Sequence, residues 1–298
     1  MSNDVRPQKS RVARAFSAAA DSYDDVAILQ RQTADEILDR LDLVKIKPQR
    51  ILDLGSGTGR NLSLLQQRYP DAQQIAVDIA YSMLLRGRQR YRADLGVRRW
   101  MPGRKTPWFI AGDAEQLPLA DNSVDLVYAN LALQWCELTA TFQEIQRVLR
   151  PGGLLMFSTL GPDTLQELRY SWAAVDDYPH INVFLDMHDV AKAMFAAGLM
   201  DPVLDSDRHC LMYPDVVAMM RDLQQLGARN VNNGRRRGLT GKNILHKVKA
   251  ASEQFRVNDQ LPATYEVIYG HAWAGEIPQQ TARNGDIPIS LKQLRRNR

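Results

Sequence analysis

Residues Ile51 to Arg60 read ILDLGSGTGR, and the order of these ten residues decides the fold. An apolar run (Ile51, Leu52 and Leu54, with Asp53 among them) ends in glycines at alternate positions, Gly55, Gly57 and Gly59. The pattern predicts a strand, then a glycine turn, then a helix beginning near Thr58. Residues without a Cβ let the backbone pass close to a ligand, and the first turn of a helix presents free N–H groups. A second apolar run, Ile75 to Val77, ends in Asp78, nineteen residues past Gly59. An acidic residue at the tip of strand 2 is placed to accept both hydroxyls of a ribose.

The remainder of the chain repeats that rhythm. Apolar segments predict strands near 50–54, 74–78, 107–110, 124–129 and 154–159, within 203–213, and at 265–271, with helical spacing between them. Such alternation predicts an α/β fold with a doubly wound, mostly parallel seven-stranded, Rossmann-like sheet. Residues 1–10 read as frayed and 11–41 as helices, so 1–46 is expected to form an N-terminal helical lid. The core spans 47–213, a helical cap insertion 214–260, and the last core strand 261–273. Residues 274–298 are polar, carry two prolines and end in LRRNR, which predicts a disordered basic tail. Val148 to Leu154 (VLRPGGL) is expected to close a helix, turn at Pro151-Gly152-Gly153 and start strand five.

A dinucleotide site shows G-x-G-x-x-G, whereas the spacing here is G-x-G-x-G and Arg60 occupies the position of the third glycine. After Asp78, Ile79-Ala80-Tyr81-Ser82-Met83 opens a helix, and Met83 is expected over the adenine side of a pocket. Asp113 follows the third strand and can accept from an adenine amino group, and the Ala114 N–H can donate to the ring. Asn130, Leu131 and Gln134 lie just past the carboxyl end of the fourth strand, where open α/β sheets bind ligands. Over roughly residues 20–160 this order resembles the class I S-adenosylmethionine (SAM) methyltransferases. The resemblance implies a SAM site at Gly55, Ser56, Gly57, Asp78, Met83, Asp113, Ala114 and Asn130, with Gln30, Asp53, Ile79, Leu131 and Gln134 beside it.

Composition narrows the class. With 298 residues and 45% hydrophobic content the chain holds one large domain, or one domain with an insertion. No apolar run approaches the roughly 18 residues of a membrane span, and MSNDVRPQKSRVARAF lacks the apolar stretch of a secretory signal. The two cysteines, Cys136 and Cys210, have no metal spacing, so no metal site is expected and a cytoplasmic location is. The net charge of +4 conceals two concentrations. Residues 86–108 carry eight basic residues and one acid, net +7, and 229–249 carry seven basic residues and no acid, again +7, which leaves the other 254 residues at −10. Concentrated positive charge steers anionic partners.

Further stretches point to the acceptor: Ala19-Ala20-Asp21-Ser22-Tyr23-Asp24 with Leu29-Gln30, Leu131 to Cys136 (LALQWC), Ser158 to Leu165 (STLGPDTL) and Gly234 to Lys242 (GRRRGLTGK). Together, over about residues 11–273, they resemble the malonyl-acyl-carrier-protein O-methyltransferases of biotin synthesis. The resemblance implies methyl transfer from SAM to the free carboxylate of a malonyl thioester on acyl carrier protein, an acidic partner, or on coenzyme A. A carboxylate is ionised at pH 7 and is already a nucleophile, so no general base is needed, and none is evident. Tyr23 and Gln30 are expected on an N-terminal helix that folds over SAM, and Arg235, Arg236 and Arg237 are the candidates for a fork that holds the non-reacting oxygen. The basic insertion at 92–106 is expected to line the approach of the carrier's phosphopantetheine arm. An enzyme acting on a quinone precursor, an RNA methyltransferase, and a respiratory-complex assembly factor that hydroxylates arginine share the core motifs and stand as alternatives. No stable nucleic-acid partner and no membrane partner is expected.

Overall fold

The computed structural model describes residues 8–95, 105–228, 230 and 241–275. Arg98, Arg99, Arg235, Arg236, Arg237 and nearly all of the expected tail therefore lie outside the described residues. Three helices lead, α1 (Lys9–Ala19), α2 (Tyr23–Val26) and α3 (Ile28–Arg40). Five parallel strands follow, β1 (Arg50–Leu54), β2 (Gln73–Asp78), β3 (Trp108–Ala111), β4 (Val124–Asn130) and β5 (Leu149–Leu160). Helices α4 (Arg60–Arg68), α5 (Tyr81–Leu95) and α6 (Leu138–Val148) connect them, and α7 (Gln166–Ala173) and α8 (Met187–Ala196) lead to β6 (Leu199–Tyr213). Helices α9 (Val216–Gln225) and α10 (Lys242–Ser252) separate β6 from β7 (Leu261–Ala274), which runs antiparallel to both β5 and β6.

The sheet order is β3-β2-β1-β4-β5-β7-β6. The chain starts at the centre, winds outward through β2 and β3, then returns beside β1 with β4. The carboxyl ends of β1 and β4 are therefore neighbours at the point where winding reverses, which is the ligand-binding crevice of such sheets. Alternate residues of each strand face opposite sides. Ile51, Leu126, Tyr128, Leu154 and Met156 pack with α3, α7 and α9, while Leu52, Leu54, Val127, Leu155 and Phe157 pack with α6 and α8. Both faces are covered, as a parallel sheet requires.

Three sequence expectations change. Helix α1 begins at Lys9, so residues 9 and 10 are helical rather than frayed. Helix α4 begins at Arg60 rather than near Thr58, because Gly59 still has a left-handed backbone, φ 72°. The Pro-Gly-Gly stretch does not separate α6 from a strand. β5 starts at Leu149, directly after α6, and Arg150–Gly153 is a bulge between the pairs Val124↔Leu149 and Leu126↔Leu154. Arg150 closes that bulge with an ion pair to Asp125 at 2.8 Å.

Gly59 also lets the start of α4 meet α5. A Cβ there would lie 2.9 Å from the Gly87 Cα, on a backbone conformation that L-residues rarely adopt. Gly59→Ala is expected to lower the unfolding free energy by about 1–3 kcal/mol, as overpacking does. Urea unfolding measures this, and an unchanged midpoint would contradict the packing described.

Candidate active site

The loops after β1, β2, β3 and β4 converge on one crevice. After β1, the N–H groups of Gly55 and Ser56 both donate to the Val77 carbonyl, at 2.8 and 3.1 Å, so the glycine turn is pinned to β2. At Gly55 (φ 69°) a Cβ would sit 2.4 Å from that of Ala132, so the β1 and β4 loops touch only because the side chain is missing. After β2, Asp78 accepts from the Gly57 N–H at 2.9 Å and from the Ala80 N–H at 2.7 Å. Burial raises the Asp78 pKa, and these two N–H donors pull it back.

This crevice is lined by Gly55, Gly57, Asp78, Ile79, Met83, Asp113, Ala114, Asn130 and Leu131, as the sequence reading groups them. From above it is covered by Lys9, Val12 and Phe16 of α1 and by Tyr23 of α2, which leaves a cavity of about 90 Å³. Asp53 and Ser56 sit behind the lining. Asp53 is 1% exposed, and its Oδ2 and the Ser56 Oγ are buried without a hydrogen-bonding partner. Burial, and then the nearby Asp78 charge, push the Asp53 carboxyl up to about 8.

Gln30 and Gln134 are not in this lining. They belong to a second cavity of about 650 Å³, walled also by Leu160, Leu168, Trp172, Asn182 and Leu223. Phe16, Tyr23, Leu131 and Trp135 line both cavities and form the partition between them. Phe16 and Trp135 meet edge-to-face there, with ring centroids 5.3 Å apart. Burial, then the charges of Asp78 and Asp24, raise the Tyr23 pKa far above its ordinary value, so its phenol keeps the proton.

Two residues do more structural work than the sequence suggests. The Asn130 Oδ1 accepts from the Thr33 and Ser158 hydroxyls, both at 2.8 Å, and its Nδ2 donates to the Gln30 carbonyl at 2.9 Å. Its side chain is thus committed to joining α3 to the tips of β4 and β5. Asp113 accepts from the Lys9 ammonium at 2.6 Å and from the Glu115 N–H at 3.0 Å, and Lys9 also meets Glu115 at 2.8 Å. Burial opposes the Lys9 charge, but Cys136, Asp113 and Glu115 outweigh it and raise its pKa.

Lys9 and Thr33 carry no motif and escape a reading by spacing. Ser158 and Asp24 lie in the quoted stretches, but nothing local gives their partners, as Asp24 shows. It accepts from the Thr58 hydroxyl at 2.7 Å and from Arg90 at 2.9 Å, which ties α2 to the glycine turn and to α5. Arg86 pairs with Asp21 at 2.8 Å. Part of the first basic segment therefore answers acids of the N-terminal helices rather than an external anion. The second basic segment is described only at Asn230 and from Gly241 onward, so its expected carboxylate fork, Arg235 to Arg237, lies outside the described residues.

The methyltransferase domain family matches residues 52–157, from β1 into β5. A malonyl-[acyl-carrier protein] O-methyltransferase from Nitrosospira multiformis is 47% identical over 273 residues, covering 89% of each chain. One from a Methylovorus species is 49% identical over 268 residues, covering 89% of this chain and 88% of its own. The chain belongs to the malonyl-[acyl-carrier protein] O-methyltransferase family. Among solved structures, YcgJ from Bacillus subtilis aligns with a TM-score of 0.57 at 16% identity, over 83% of this chain and 100% of that one. The [4+2]-cyclase SpnF aligns with 0.55 at 18% identity, over 91% and 98%. At such identities the two structures show the shared methyltransferase fold alone. No helix among the described residues is long and apolar enough to cross a membrane.

The buried Asp53 carboxyl generates a pH prediction. An acid with a raised pKa binds a proton in the folded state where the unfolded chain has already lost it. Its contribution to stability is therefore lost as pH rises from about 4, the ordinary aspartate value, to about 8. The ligand-free protein is expected to lose stability across that window, and Asp53→Asn to flatten the loss. Thermal midpoints of both proteins against pH test this, and parallel curves would contradict it.

Proposed function

We propose that the protein methylates the free carboxylate of a malonyl group held as a thioester on acyl carrier protein, with SAM as the methyl donor. The observation that carries this reading is the partition of Phe16, Tyr23, Leu131 and Trp135, which separates a glycine-floored cradle from a larger, mainly apolar cavity. The two cavities adjoin at these side chains, so two reactants can meet between them, and holding them in line supplies much of the rate. The esterified product has lost its charge, which suits the early place in biotin synthesis that the sequence resemblance implies.

The cradle fits the cofactor on its own chemistry. Gly57 leaves open space beside the backbone where a ligand would pass, and the carboxylate of Asp78 is oriented by two N–H groups for a diol. Behind the lining, the Asp53 Oδ2 and the Ser56 Oγ are buried and unpaired. Asp78 would hold the ribose and Ile79, Met83 and Ala114 the adenine. When bound, SAM supplies a methyl group on a positively charged sulfur, which leaves as a neutral thioether when the carboxylate oxygen forms its new bond to carbon. Lys9, Val12 and Phe16 of α1 cover the cradle, and Lys9 holds the Asp113 carboxylate.

The protein has no proton to remove, because the acceptor is ionised at neutral pH. Tyr23, held as a phenol at the partition, donates to the non-reacting carboxylate oxygen and fixes its angle, and a neutral donor withdraws less charge from the other oxygen than a cation would. Trp135, Phe16 and Leu131 exclude water. The acceptor is delivered on the acidic carrier, and coenzyme A presents the same thioester arm without the carrier's surface. The net +7 of residues 229–249 supports the carrier, because such contacts raise the on-rate and weaken with salt.

Labelled SAM offered with malonyl-acyl carrier protein, malonyl-coenzyme A and bulk tRNA side by side tests the reading. The expected result is base-labile label on the malonyl carrier, and label on tRNA alone would overturn it. Tyr23→Phe is expected to reduce kcat/KM for the malonyl carrier roughly tenfold, one hydrogen bond's worth, and to leave SAM affinity unchanged. Unaltered kinetics would remove Tyr23 from the acceptor's contacts.

A further inference from the structure

The second cavity contains a polar group that the acyl end of the substrate cannot satisfy. Its outer wall includes the segment between α7 and α8, where His180 lies flat on Trp172, with centroids 3.6 Å apart and planes at 11°. The His180 Nε2 lies 2.7 Å from the Asp176 Oδ1, so the ring is fixed from two sides. Two residues further on, Asn182 lines the cavity. It is only 8% exposed, and its Oδ1 is buried without a hydrogen-bonding partner. A buried acceptor left unpaired costs stability, and groups of this kind in a ligand cavity fix orientation and specificity when the ligand supplies the donor.

An ionised malonyl carboxylate offers acceptors only, and so does a thioester carbonyl. The donors on the substrate are on the arm that carries the thioester: pantetheine contains two secondary amides, each with an N–H, and a hydroxyl only beyond the second of them. Gln30 and Gln134 also carry unpaired oxygens, but they share the cavity's inner end with Tyr23 and Leu131, against the cofactor cradle. Asn182 follows α7, whose Trp172 and Leu168 line this cavity but not the cradle. We infer that Asn182 accepts a hydrogen bond from an amide N–H of the pantetheine arm and thereby selects pantetheine thioesters over simple ones. This rests on reading the second cavity as the acceptor site. The chemistry is common to acyl carrier protein and coenzyme A, and the rigid His180–Trp172 stack presets the position of Asn182.

The test uses the full chain, with malonyl-acyl carrier protein, malonyl-coenzyme A, malonyl-pantetheine and the malonyl ethyl thioester, which has no amide. Asn182→Leu is expected to lower kcat/KM about tenfold or more for the three pantetheine thioesters and to leave the ethyl thioester unchanged. Affinity for S-adenosylhomocysteine and the thermal midpoint are expected to hold. Asn182→Asp keeps an accepting oxygen and is expected to retain the preference for the amide-bearing substrates, which guards against a leucine variant that fails to fold. A loss restricted to the carrier substrate would overturn the proposal, because it would locate Asn182 at the carrier's surface rather than its arm. An equal loss for the amide-bearing and amide-free thioesters would overturn it too, leaving Asn182 a shaping residue. Absence of ester formation by the unmodified protein with every thioester would instead overturn the acceptor reading on which the proposal rests.

Discussion

The carboxamide of Asn130 at the carboxyl end of β4 ties together the N-terminal helices and the sheet. Through the hydroxyls of Thr33 and Ser158 and the carbonyl of Gln30, it fastens α3 to two neighbouring strand tips. Ser158 completes the arrangement by accepting the Leu131 N–H at its hydroxyl, 3.0 Å, and at its carbonyl, 3.2 Å. Leu131 is consequently held at φ 46°, a left-handed backbone that a leucine adopts only when its surroundings impose it. That kink turns Leu131 into the partition between the cavities. The same cluster sets the height of α3, and through it Gln30 and, one short helix earlier, Tyr23. Buried polar clusters of this kind specify geometry more than they add stability.

Around this anchor, several charges of the N-terminal segment are matched by acids and bases of the core. Asp21 and Asp24 meet Arg86 and Arg90 on α5, and Lys9 meets Asp113 and Glu115 on the loop after β3. These pairs are partly exposed, so each contributes little to stability. Their consequence is positional. They hold α1 and α2 over the cradle by contacts that can be exchanged for water or ligand at small cost, whereas Asn130 beneath is held by the fully buried Thr33 and Ser158.

The frame was legible because it is written locally. The run into Gly55, Gly57 and Gly59, the strand ending in Asp78, and the apolar alternation of β4, β5 and β7 each announce themselves within a few residues, and the structure assembles them in the expected order. What escaped depends on partners distant in sequence. Lys9 meets Asp113 across 104 residues, and Thr33 meets Asn130 across 97, and neither has a local pattern. Pro151-Gly152-Gly153 reads as a turn because its composition is that of one, yet the pairing of β4 with β5 on both sides absorbs it as a bulge. The division into two cavities was also hidden, because Gln30 and Gln134 sit close to cradle residues in sequence but behind the partition in space.

The chemistry asked of this site is modest. The acceptor arrives ionised, the leaving group departs neutral, and the groups at the partition are a phenol that keeps its proton and three apolar walls. Alignment and dryness then carry the rate, with no proton in flight. The most direct test of that account is the single-turnover rate of malonyl ester formation, with SAM and malonyl-acyl carrier protein both saturating, measured against pH. The account predicts a rate constant that is flat across the neutral range. A rate that climbs about tenfold per pH unit, the signature of an obligatory base, would contradict it.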